Sequence, residues 1–164
     1  MLKRILSTAI IALIALSAPS AQEADKKEPK KKEAKKKVKQ TKEQIMEAHT
    51  KVMDGLDAEG GVRMAYKTVD GFDLNLWMFA PEGHSPSDKT PAIVYFFGGG
   101  WNGGKPTQFL EQSKYLASRG MVAFVADYRV KSRQGVAPNE CVKDGKSAIR
   151  YLRTNAKRLG IDPD

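Results

Sequence analysis

Cysteine and histidine are nearly missing from this sequence, which has one Cys (Cys141) and two His (His49 and His84) in 164 residues. A single cysteine closes no internal disulfide, and neither histidine has the Cys/His neighbours of a metal site. No metal and no cofactor are therefore expected, and Cys141 reads as a small apolar residue on a buried helix face. No hydrophobic run is long enough to span a bilayer either. Ile5–Leu16, preceded by Lys3 and Arg4 and followed by the small residues Ala18, Ser20 and Ala21, has the proportions of a signal peptide over residues 1–21. Export to the periplasm or outside the cell is the expectation, with an uncleaved membrane anchor as the rival reading.

Residues 22–43 contain no aromatic residue, and ten Lys against five acidic residues give them +5 of the chain's net charge of +9. Such a stretch cannot bury a core and reads as a disordered Lys/Glu-rich linker. Lys3 and Arg4 add +2, so the remainder carries only +2. A nearly neutral folded part argues against a nucleic-acid partner. What the tail offers is a weak electrostatic contact with an anionic polymer or membrane surface, or simply a solvated spacer.

Residues 44–164 read as the folded region. Thr41 and Gln44 form a capping-box signal for a helix with Ile45, Ala48, Val52 and Met53 on one side, stopping near Gly55. Val62–Val69 and Phe72–Phe79 are rich in strand formers, and Asp70-Gly71 between them predicts a tight hairpin. Ala92–Phe97 is a continuous apolar run, as expected of a strand covered on both faces. A helix from about Thr107 to Arg119, a second apolar strand over Met121–Ala126 and a helix over about Asn139–Leu159 follow. That last helix places Cys141, Gly145, Ala148, Leu152, Ala156 and Leu159 on one face. Strands alternating with helices after a hairpin predict an α/β fold with an antiparallel element at one edge.

The glycines after Ala92–Phe97 fit three motifs. Gly98, Gly100 and Gly103 spell G-x-G-x-x-G, and Asp127 ends the next strand like a ribose-binding acid. However, Gly103-Gly104-Lys105-Pro106 keeps the helix from opening within the motif, where a pyrophosphate needs it. Gly99, Gly104 and Lys105 spell G-x-x-x-x-G-K, but Pro106 stands where Ser or Thr must hold magnesium. The third reading is an oxyanion loop, in which glycine backbones turn two N–H groups toward one point, each worth about 3–4 kcal/mol of barrier. A purely structural glycine turn is the bland alternative.

Phe97-Gly98-Gly99-Gly100-Trp101, Ala126-Asp127-Tyr128-Arg129 and the segment from Asn155 to Asp164 (NAKRLGIDPD) together resemble the lipase/esterase branch of the α/β-hydrolases. The likeness is to the feruloyl- and acetylxylan-esterase-like group, whose loop reads H-G-G-G-W. The resemblance runs from about Val62 to Asp164. It implies an α/β-hydrolase-type, mostly parallel sheet with an N-terminal antiparallel hairpin. It also implies oxyanion N–H groups from Gly99 and Gly100, a bend at Gly98, a substrate-binding wall at Trp101, and structural roles for Asp127 and Asp144. Phe97 replaces the family's usual His.

No G-x-S-x-G occurs among the 164 residues. Ser147, in Gly145-Lys146-Ser147-Ala148-Ile149, falls mid-helix. His84 reads as solvated surface in a polar loop, and His49 on the first helix is weaker still as a catalytic base. The expectation is the N-terminal part of a serine esterase or lipase, truncated before the nucleophile elbow and inactive alone. Its substrates would be small-molecule or polysaccharide esters. The rival is a non-catalytic exported domain whose basic tail binds an anionic polymer.

Overall fold

The hairpin is where the local chemistry dictates most directly. In the computed structural model, which describes residues 40–164, β1 (Val62–Val69) pairs antiparallel with β2 (Phe72–Phe79). Asp70 and Gly71 both take positive φ, 53° and 75°, the conformation a two-residue hairpin turn demands. The expected signal peptide and most of the expected linker lie outside the described residues.

β3 (Ala92–Phe96) and β4 (Val122–Ala126) complete a mixed sheet of order β1-β2-β4-β3. β2 pairs antiparallel with β4, and β3 pairs parallel with it, Phe96 lying opposite Ala126. A parallel pair needs a crossover. Here it is a 3-10 turn, Pro106–Phe109, continuing into α2 (Leu110–Ser118). The helix expected from Thr107 therefore opens as a tighter turn, with Pro106 at its start and no side-chain cap.

β4 is buried along its whole length. Phe124 and Ala126 on one face join Leu74, Leu76 and Tyr66, while Val125 on the other joins Trp77, Phe79 and Leu56. α1 (Lys42–Ala58) and α2 cover the Trp77 face. α4 (Pro138–Thr154) and α5 (Ala156–Leu159) cover the other. β3 was expected to be covered on both faces; instead Ile93–Phe96 are half-buried and Ala92 is exposed. Among the described residues β3 is an edge strand paired only with β4.

Two helix boundaries differ from the sequence expectation. α1 begins with the expected capping box at Thr41 and Gln44 but runs through Gly55 to Ala58. Leu56, completely buried against Trp77 and Phe79, holds that last turn by tertiary packing, which overrides the glycine's weak helix preference. The last helix is interrupted at Asn155, where α4 ends and α5 begins, although the expected buried face is kept: Cys141, Ala148, Leu152, Ala156 and Leu159 are buried.

Tyr66 is the extra residue of a bulge in β1, where the register slips between Ala65 and Lys67. The bulge turns two consecutive side chains toward α4. Tyr66 donates to the Asp127 carbonyl at 2.7 Å, and Lys67 reaches the Asp144 carboxylate at 2.6 Å.

Candidate active site

The glycine loop leaves the C-terminal end of β3 and folds back on itself. Gly99, at φ +143°, approaches the Gly103 carbonyl so closely that a Cβ would meet that oxygen at 2.1 Å. Gly104, at φ +127°, is pressed against the Gly98 carbonyl and the Phe97 ring in the same way. At these two positions only glycine fits. Gly100 differs: its φ of +59° is left-handed, but a Cβ there would meet nothing within 4 Å.

The amide of Gly98 is spent on the Gln108 side chain, 2.6 Å away. The amides of Gly99 and Gly100 find no acceptor among the described residues. Two adjacent free N–H groups at a strand end are the arrangement that an oxyanion requires. Trp101 follows at φ +59°, unusual for a bulky residue, and is 50% exposed. Its strained backbone is pinned: the Lys131 N–H donates to the Trp101 carbonyl at 3.0 Å, and the Ser132 N–H to the Asn102 carbonyl at 2.8 Å. Both donors belong to α3, a single turn over Lys131–Gln134.

Phe97, where the resembled family has a His, is buried and held by aromatic contacts. Its ring stacks on Tyr128 with centroids 4.1 Å apart, and the Tyr128 hydroxyl donates to the Phe97 carbonyl. The Arg133 guanidinium lies 5.6 Å over the same ring, within range of a cation–π attraction.

Arg133 is also the centre of a buried polar cluster. Its Nη2 donates to Asp127 Oδ1 and to the Tyr128 carbonyl, both at 2.8 Å. His49 Nε2 lies 2.9 Å from Asp127 Oδ2, and Arg133 Nη1 lies 2.7 Å from His49 Nδ1 and 2.6 Å from Nε2. His49 thus bridges the two charged partners, with its donor and acceptor roles set by the ring tautomer. Burial alone would raise the Asp127 carboxyl, but the His49 hydrogen bond and the Arg133 charge outweigh it and hold the group below its ordinary value. Arg133 Nε is buried without a partner among the described residues, at a cost of about 1–3 kcal/mol. Little in the sequence pattern hints at this cluster, because its members come from α1, α3 and the residue after β4.

A cleft of about 760 Å³ opens beside the loop, lined by Phe96, Gly99, Gly100, Trp101, Cys141 and Ile149 among others. Its lining is predominantly apolar, with Lys146, Arg150 and Arg153 on the α4 side. Gly100 and Trp101 also line a second, smaller cleft with Val136 and Pro138, so the tryptophan stands between the two. Cys141 is buried, and burial pushes its thiol up.

The remaining candidates lie elsewhere. Ser147 donates to the Lys143 carbonyl within α4, as a mid-helix serine does and an elbow serine does not. His84 is not solvated surface: its side chain is 7% exposed, bonded to the Leu159 carbonyl at 2.8 Å and to Thr90 at 3.3 Å. It ties the loop before β3 to the end of α5, where Gly160 packs against its ring. Asp144 is buried under Arg129 and Lys67. No group of three or more His, Cys, Asp or Glu among the described residues could hold a metal ion, and no helix among them is long and apolar enough to cross a membrane.

A hairpin packed beside a central strand, a glycine turn after that strand's parallel neighbour, and unbonded amides lining an apolar cleft are the features of an α/β-hydrolase. The BD-FAE family model matches residues 78–164, and the chain belongs to that family. It is similar to a thermophilic esterase of Thermogutta terrifontis, Est2, at 52% identity and a TM-score of 0.63, over 63% of this chain and 37% of that one. Among curated proteins it is 33% identical to an AB hydrolase superfamily protein of Schizosaccharomyces pombe over 53% of this chain. It is also 26% identical to the Fumonisin B1 esterase of Sphingopyxis macrogoltabida over 63% of this chain. The chain spans 25% and 21% of the length of those two relatives.

Proposed function

We propose that these residues supply the oxyanion-binding part of a carboxylic ester hydrolase. The observation that carries the reading is the pair of adjacent amides, Gly99 and Gly100, left without acceptors at the mouth of an apolar cleft. A serine attacking an ester carbonyl places negative charge on the carbonyl oxygen, and two fixed N–H groups stabilise that charge without reorganising. Trp101 walls the site. The similarity to named esterases supports the same class of reaction. Acyl esters, including those on carbohydrates, are the proposed substrates, and no metal or organic cofactor enters this chemistry. Export through the N-terminal signal fits such substrates.

Among the described residues Ser147, His49 and His84 are all engaged structurally, so the reading assigns none of them as nucleophile or base. The chain by itself should therefore hydrolyse p-nitrophenyl acetate no faster than a control protein. A protein carrying these residues together with a serine elbow should turn the ester over and be silenced by a serine-directed phosphonate. Turnover that resists the phosphonate, or none at all from such a protein, would sink the esterase reading. It would favour a non-catalytic exported domain whose Lys-rich tail binds anionic polymer in a salt-sensitive way.

A further inference from the structure

We infer that α1 is part of the apparatus that positions the oxyanion loop, acting through His49 and Arg133. The inference rests on the reading of Gly99 and Gly100 as the oxyanion donors. The BD-FAE match begins at residue 78, so α1 lies ahead of the matched region.

The loop is anchored at both ends by one helical turn. α3 holds the loop's far end through Lys131 and Ser132, whose amides take the carbonyls of Trp101 and Asn102. It holds the near end through Arg133, whose guanidinium lies over Phe97, the residue immediately before the glycines. A four-residue turn has little stability of its own, since a helix gains it from length or from packing. What fixes α3 is Arg133, and what fixes Arg133 is Asp127 together with His49. Asp127 follows β4 directly, its amide bonded to the Asn75 carbonyl and its carboxylate turned to His49 on α1. α1 supplies His49 from the same helical stripe as Ile45, Val52 and Leu56.

His49 is placed to do this and nothing closer to the chemistry. It is buried, it lies against a small cavity of about 330 Å³ lined by Lys105, Ser132 and Arg133, and it does not line the glycine-loop cleft. It is a positioning residue. Its loss frees Nη1 of Arg133 and one lobe of the Asp127 carboxylate, so the guanidinium is then held over Phe97 chiefly through Nη2 and is less firmly placed.

The direct test is an amide measurement on the 164-residue chain labelled with 15N. In His49→Leu the Gly99 and Gly100 resonances should move, and exchange of the Gly98 amide, which Gln108 holds, should rise by about tenfold or more, while Gly71 and Gly120 stay as they are. His49→Gln keeps one acceptor and one donor and should restore most of the parent spectrum. If His49→Leu does not fold, Arg133→Lys carries the test. It keeps a charge beside Asp127 but has no planar group for Phe97, and it should move the same two amides. Uniform loss of protection across all glycines, or unmoved Gly99 and Gly100 signals, would reduce α1 to ordinary packing and overturn the inference.

Where ester turnover is measurable, His49→Leu should lower kcat by about tenfold at unchanged KM, with His49→Gln recovering it. Turnover unaffected by His49→Leu overturns the inference and leaves the esterase reading standing. Absence of turnover in every version that carries a serine elbow counts against the esterase reading, and the amide measurement then decides the inference alone.

Discussion

Asp127 and Asp144 are both buried carboxylates gripped by an arginine, and they serve different parts of the molecule. Asp144, on α4, receives Arg129 through Nε at 2.8 Å and Nη2 at 3.0 Å, and Lys67 from the bulged strand at 2.6 Å. Arg129 then reaches on to Asp70 in the hairpin turn and Glu140 on α4. That network joins the hairpin, the end of β4 and α4, and it touches no part of the glycine loop. Asp127 binds Arg133 and His49, and through them it joins α1 and α3 to Phe97. The same chemistry frames the domain in one place and aims a loop in the other.

The comparison breaks most severely at Asp144. Replacing it with Ala leaves Arg129 buried and Lys67 unpaired, and breaking such a network costs about 3–5 kcal/mol. Denaturant melts should show that loss, with the glycine-loop amides of whatever remains folded unchanged. Equal stability in Asp144→Ala and the parent would show that the frame lies elsewhere.

Gly99→Val acts next most strongly, and on turnover. A Cβ at Gly99 collides with the Gly103 backbone, so the loop must open and the donor is lost. In an active protein kcat should fall by about a hundredfold or more with KM nearly constant. Gly100→Ala meets no atom and pays only for its left-handed backbone, about 1–2 kcal/mol. Its effect on kcat should accordingly be much smaller. Similar losses in the two variants would mean that the difference in close approach carries no weight.

Acid tests both carboxylates together. Each is buried, which alone would raise it. Hydrogen bonds from His49 and Arg133 on Asp127, and from Arg129 and Lys67 on Asp144, outweigh burial and hold both below the ordinary value of 3.8. Depressed folded-state values mean that their stabilisation is complete above the unfolded value and is lost as pH falls through the folded ones. Urea midpoints should therefore be flat from neutral pH to about 5 and fall steeply below about 4. A midpoint that declines between pH 7 and 5 would point to a group other than these two.

How much of this could be read from the chain depended on sequence distance. The Asp-Gly hairpin, the apolar strands and the buried stripe of α4 are local patterns and were legible. So was the glycine loop, because Pro106 and the run of glycines exclude a helix opening there. The role of His49 was not legible as such, although a trace was present. It falls in a stripe with Ile45, Val52 and Leu56 at spacings of four, three and four, so a helix buried on that face had to bury it. The same stripe explains why Gly55 does not end α1. His84, Gln108 and Arg133 gain their roles from partners far along the chain or across the loop, where no periodicity reports them.

Trp101→Ala is the mildest break. The ring is half-exposed, so stability should change by no more than about 0.5 kcal/mol. KM for bulky esters should rise while that for acetate changes little, since the ring divides two clefts rather than closing one. A large stability loss would make Trp101 a core residue instead of a wall.

The central claim is that Gly99 and Gly100 bind the oxyanion. Its most direct test is a crystal structure of a protein carrying these residues and a serine nucleophile, after reaction with a phosphonate that leaves a tetrahedral adduct. The account predicts the adduct's phosphoryl oxygen about 2.7–3.1 Å from both glycine nitrogens. An adduct oxygen held by other groups, with the Gly99 and Gly100 amides turned away from it, would contradict the account.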